Sequence, residues 1–142
     1  VHPALDADIV SDDYRVTLED RVAIHHAPLR PERAADAVYD GLWAWAWPNL
    51  GVNVYRDGMM MERIWPLGET RTRLDYLYVF AEPDADHAAT FAMSDVVTAE
   101  DKAICEAVER NMAAGDLAMG PLSPRHEGAV RLFRDLLAAA PR

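Results

Sequence analysis

Between Leu42 and Ala81 apolar residues recur at every second position in successive short runs, whereas beyond Thr98 they recur at every fourth. A period of two belongs to a half-buried strand and a period near four to an amphipathic helix, so this switch limits the possible folds severely. In Leu42 to Trp47 the residues Trp43, Trp45 and Trp47 fall two apart and share one strand face. Val52 to Arg56 reads as a second strand, closed by the hairpin signal Asp57-Gly58. Met59 to Trp65 is the return strand, ended by Pro66 and Gly68. Thr70 to Ala81 follows, with Thr72, Leu74, Tyr76, Tyr78 and Phe80 on one side. Consecutive strands joined by short turns make an antiparallel meander. Upstream, Tyr14 to His26 reads as one half-buried strand in which Tyr14, Val16 and Leu18 alternate with polar neighbours. Pro31 to Tyr39 reads as a loop with at most a short helical turn.

Pro83 to Met93 is expected to be a linker with one possible short helical piece. From Thr98 a helix carries Ile104, Val108 and Met112 on one stripe and stops at Gly115. Ser123 and Pro124 supply an N-cap and a first helical position for a last helix that buries Ala129, Phe133, Leu136 and Leu137. Strands first and helices last define an α+β domain, an antiparallel sheet covered by C-terminal helices.

At 142 residues the chain is long enough for one domain with a core of its own. Its net charge of −10 argues against a nucleic-acid surface, since phosphates would not be neutralised. The single cysteine, Cys105, excludes an intramolecular disulfide and reads as a small buried hydrophobe in a reducing, cytoplasmic setting. No run reaches the roughly 18 apolar residues of a membrane span, and no signal-peptide pattern opens the chain. The chain opens Val-His-Pro without Met, which points to processing, truncation or an incomplete sequence.

Several residues invite a chemical role. Thr98 and Asp101 have capping-box spacing, so the Asp101 carboxylate has a purely structural use at a helix start. His25 and His26 point to opposite strand faces and make a poor metal pair, one inward and one solvated. His87 and His126 read as surface residues, and Asp12, Asp13, Glu19 and Asp20 as a solvated acidic face. Met59, Met60 and Met61 cannot all face inward. The tryptophans read as core before pocket, although large aromatics also fit a cavity that takes an aromatic ring or a quaternary ammonium. Asn53 and Tyr55 share a strand face and offer polar contacts, as do Tyr76 and Tyr78.

Four segments together resemble the catalytic domain of Rieske-type non-haem iron oxygenase α subunits. Val1 to Leu5 (VHPAL) looks like the tail of that family's His-x-x-x-x-His-Pro motif. Trp45 to Tyr55 (WAWPNLGVNVY) is similar to its Trp-x-Trp-Pro-Asn strand pair, and Arg63 to Phe80 to the strands that follow. Glu100 to Val130 resembles its terminal helices. The resemblance implies a mononuclear Fe(II) on two histidines and one carboxylate, with positions left open for dioxygen. By motif, His2 is the second histidine and Asp101 the carboxylate, while the first histidine falls ahead of Val1. Trp45, Trp47, Asn53, Tyr55 and Tyr76 are the expected substrate contacts.

The resemblance further implies a [2Fe–2S] cluster in an N-terminal domain absent from this chain. Electrons would come from a separate NAD(P)H-dependent reductase or a ferredoxin, and the intact protein would form a homotrimer. The implied reaction is O2-dependent mono- or dioxygenation, or oxidative demethylation, of an aromatic or amine-type small molecule, with this chain inactive alone. The competing expectation is a helix-grip, START-like module that binds an apolar molecule without redox chemistry, since architecture alone does not fix function. A degenerate chain with a purely structural role comes last.

Overall fold

The computed structural model describes residues 10–115, 120–124 and 127–141. Six strands form one antiparallel sheet in sequence order: β1 (Arg15–Leu18), β2 (Val22–His26), β3 (Tyr39–Ala46), β4 (Leu50–Tyr55), β5 (Gly58–Pro66) and β6 (Thr72–Phe80). Two helices follow, α1 (Ala88–Ala114) and α2 (Gly128–Ala139). The expected α+β, helix-grip-like arrangement of an antiparallel meander with C-terminal helices is what the chain adopts. The chain forms two compact units, one holding the sheet and α2, the other running from Asp84 to Pro121 and holding α1. No helix among the described residues is long and apolar enough to cross a membrane.

The expected single strand Tyr14 to His26 is instead a hairpin. β1 and β2 pair through Leu18 and Ala23, and the Glu19 N–H donates to the Val22 carbonyl at 2.9 Å around Asp20 and Arg21. None of the described non-glycine residues takes a positive φ, so this turn has no need of the Asn or Gly that announces the primed hairpin types. That is why the sequence concealed it. The Asp57-Gly58 hairpin forms as expected, with Tyr55 opposite Gly58. A Cβ on Gly58 would stand 2.1 Å from the Val79 carbonyl oxygen, so close approach of β6 demands this glycine.

β3 begins earlier than its tryptophan run. Its register slips between Tyr39 and Leu42, and Gly41 sits in the slip at φ 69°. There the Ala27 N–H donates to the Gly41 carbonyl at 2.7 Å, and Ala27 is wholly buried. At the other end of β3 the side-chain amide of Asn49 donates to the Ile64 carbonyl at 3.0 Å, and the Ile64 N–H donates back to the Asn49 carbonyl at the same distance.

α1 starts at Ala88, ten residues ahead of the expected Thr98, and absorbs much of the expected linker. Ala88, Ala89 and Ala92 are strong helix formers, and the Asp86 carboxylate accepts the Ala88 N–H at 2.9 Å, where the helix dipole favours an anion. Gly115 ends it in the left-handed conformation, as expected. α2 begins at Gly128 rather than beside Pro124. The Ser123 N–H instead donates to the Glu127 carboxylate at 2.5 Å, and the Glu127 N–H donates back to the Ser123 carbonyl at 3.1 Å.

Candidate functional site: one aromatic face of the sheet

Side chains alternate across a sheet, so the strand register decides which residues meet. One row of directly opposed positions runs Leu18, Ala23, Trp45, Gly51, Glu62, Tyr76. The next row on the same face runs Val16, His25, Trp43, Asn53, Met60, Tyr78. Tyr55, two residues beyond Asn53, lies on this face too and is buried. Of the expected substrate contacts, Trp45, Asn53, Tyr55 and Tyr76 therefore share one face. Trp47 follows the end of β3 and keeps contact with Trp45, their rings 6.2 Å apart and edge-on.

Helix α2 lies against β1 and sends Phe133 onto this face, 5.3 Å from the Trp45 ring and 5.9 Å from that of Trp47. The tryptophans thus hold the helix down and still line the face, so the choice between core and cavity does not divide them. The methionine run resolves as expected, with Met60 buried on this face and Met59 exposed on the other. Asn53 makes only a long amide contact with the Met60 sulfur, 3.9 Å.

Two features of the face lay beyond the expected set. The first is Glu62, whose Oε1 accepts the Tyr76 hydroxyl at 3.3 Å. The second is a cluster of Tyr14, His25 and Trp43. The His25 ring stacks on Trp43 at 5.8 Å, and its Nδ1 shares a hydrogen bond with the Tyr14 hydroxyl. Burial, then the neighbouring His26, pushes the His25 pKa below its ordinary value, and burial raises that of Tyr14. The expectation that one of the two adjacent histidines faces inward holds for His25. Alternation along Met59 to Trp65 was the signal that would have placed Glu62 beside Met60.

The His25 shift sets a pH dependence. The unfolded chain takes up this proton near pH 6.5, and the folded chain only at lower pH, so acid favours the unfolded state. The melting temperature is expected to fall by a few degrees as pH drops from about 7 to about 5. His25→Gln should remove part of that fall in a calorimetric pH series, and an unaltered slope would contradict the assignment.

His2 falls outside the described residues, as does His126. Asp101 is exposed and sits inside α1, not in a first turn, so Thr98 and Asp101 do not form an N-terminal capping box. At about 100° per residue, Thr90, Ser94, Asp101, Val108 and Met112 fall on one stripe. Thr90 and Ser94 are buried, whereas Val108 and Met112 are exposed. His87 continues the buried end, which corrects its expected surface place, and Cys105 is exposed, not buried. Asp12, Asp13, Glu19 and Asp20 are exposed as expected. Among the described residues no three His, Cys, Asp or Glu side chains are grouped to hold a metal. Asp101 is the one expected iron donor they contain.

The family model for the ring hydroxylating alpha subunit (catalytic domain) matches residues 8–140. No curated protein and no solved structure matches the chain.

Proposed function

Because the chain belongs to the family of ring-hydroxylating α-subunit catalytic domains, we propose that it forms the substrate- and iron-binding part of an O2-dependent oxygenase. The observation that carries the proposal is the sheet face on which Trp45, Asn53, Tyr55 and Tyr76 lie together. On that face Trp45 and Trp47 stack against the organic substrate and keep water from it, while Asn53, Tyr55 and Tyr76 orient its polar groups. Asp101 and His2 supply a carboxylate and an imidazole to a mononuclear Fe(II), with a further imidazole as third donor. Bound iron would supply the activation of dioxygen.

The reaction is hydroxylation, by mono- or dioxygenation, or oxidative demethylation of an aromatic or amine-type molecule. The electrons come through a [2Fe–2S] cluster in the complete α subunit from an NAD(P)H-dependent reductase or ferredoxin. The complete subunit assembles as a homotrimer.

The test is substrate-dependent O2 uptake by the complete α subunit with its reductase. Asp101→Ala should lower it by more than about 100-fold, since removing a ligand costs more than disturbing its surroundings. The melting temperature should hold, because Asp101 is exposed. Uptake that survives the substitution would overturn the assignment of Asp101.

A further inference from the structure

We infer that His25 positions the bound molecule on this face: its Nε2–H donates a hydrogen bond to an oxygen acceptor of the ligand, and the Tyr14 hydroxyl holds the ring in the tautomer that can do so. The inference rests on the proposed role of the face as the substrate wall, and adds a specific donor to it. Trp43 on β3 stands directly opposite both His25 on β2 and Asn53 on β4. Trp45 pairs with Ala23 and is therefore the diagonal neighbour of His25, roughly 7–8 Å away, within reach of large side chains. Ala23 is wholly buried and carries only a methyl group, so no bulky β2 side chain separates the imidazole from the Trp45 indole. The His25 ring lies nearly parallel to Trp43, at 14° and 5.8 Å, which fixes its plane.

The bond between Tyr14 and His25 Nδ1 decides where the imidazole proton sits. A phenol is the better proton donor of the two and an imidazole nitrogen the better acceptor, their ordinary pKa values being about 10 and about 6.5. Burial reinforces that order, raising the Tyr14 pKa so that its O–H is kept and, with His26 adding to the effect, lowering that of His25 so that its ring stays neutral. Tyr14 therefore donates to Nδ1, and the single ring proton is left on Nε2. Nε2 belongs to the half of the ring remote from Cβ. No described residue bonds it, and it is not sealed from solvent. One edge held by Tyr14 and one face held by Trp43 leave a preorganised donor, which loses little freedom when a ligand meets it. Such a donor rewards an oxygen acceptor and offers nothing to a methylene group of the same shape.

The experiment uses proton–nitrogen NMR correlation spectra of the isotope-labelled full chain at pH about 8, where the imidazole is neutral. The two probes are acetophenone and α-methylstyrene, in which a methylene group replaces the carbonyl oxygen. In the free chain His25 should show an unprotonated Nδ1 and a protonated Nε2, and in Tyr14→Phe the two nitrogen signals should move toward each other as the tautomers mix. Acetophenone should shift the Nε2–H proton downfield, and α-methylstyrene should not. The tryptophan indole N–H signals report both affinities. His25→Phe keeps a ring against Trp43 and removes the donor, so it should lower the affinity ratio of acetophenone to α-methylstyrene by at least about fivefold. A thermal melt checks that this variant folds, and if it does not, the Nε2–H response of the parent decides. A proton on Nδ1, an Nε2–H signal that ignores acetophenone, or a ratio that folded His25→Phe leaves unchanged would overturn the inference while leaving the face a ligand site. Failure of both probes to bind would overturn the ligand site and the inference with it.

Discussion

Gly41→Ala is expected to destabilise the fold by about 3–5 kcal/mol, from backbone strain, overpacking and a damaged buried hydrogen bond. Gly41 occupies the register slip of β3 at φ 69°, a conformation that alanine adopts only at a cost. A methyl group there would stand 2.2 Å from the Ala27 carbonyl oxygen. That oxygen belongs to a wholly buried residue whose own N–H donates to the Gly41 carbonyl at 2.7 Å, so neither partner has room to retreat. The damage falls where the chain leaves β2 and enters the tryptophan strand, and so disturbs the candidate site as well as stability. Gly120→Ala is the control, because a Cβ there meets nothing within 4 Å. Chemical denaturation should show the Gly41 variant with a much lower midpoint and the Gly120 variant near the parent. A Gly41 variant within about 1 kcal/mol of the parent would contradict this account of the slip.

The alternation of large residues between Leu42 and Phe80 was enough to place four of the six strands, whereas the common face of Trp45, Asn53, Tyr55 and Tyr76 follows from the register between those strands. Period two leaves little freedom once short turns force neighbouring runs to pair. Where the sequence misled, a local signal was absent or ambiguous. Asp20-Arg21 turns a hairpin without any residue that marks one, so β1 and β2 read as a single strand. The start of α1 was hidden because its first buried positions are His87, Thr90 and Ser94, polar residues that no hydrophobic period picks out. The box-like spacing of Thr98 and Asp101 then mimicked a helix start in mid-helix. Gly51 and Glu62 were legible one at a time, but their apposition requires the β4–β5 register, which appears only when the strands are paired.

The second large effect expected is on metal binding, and it separates the iron-dependent account from a helix-grip binding module. Asp101 lies in the unit that holds α1 and carries the carboxylate, while His2 carries the imidazole assigned by motif. If the two serve one cation, each substitution should remove the same binding event rather than half of it, because two donors on one metal act as a unit. Co(II) takes the same nitrogen and oxygen donors as Fe(II) and reports its coordination through its visible absorption. The most direct test is an anaerobic Co(II) titration of the chain with imidazole added as third donor, repeated on His2→Ala, Asp101→Ala and His25→Gln. The account predicts a saturable cobalt spectrum in the parent and in His25→Gln, weakened at least about tenfold in both other variants. A spectrum that neither His2→Ala nor Asp101→Ala alters, or none in the parent, would contradict the claim that this chain carries those two ligands of an oxygenase iron site.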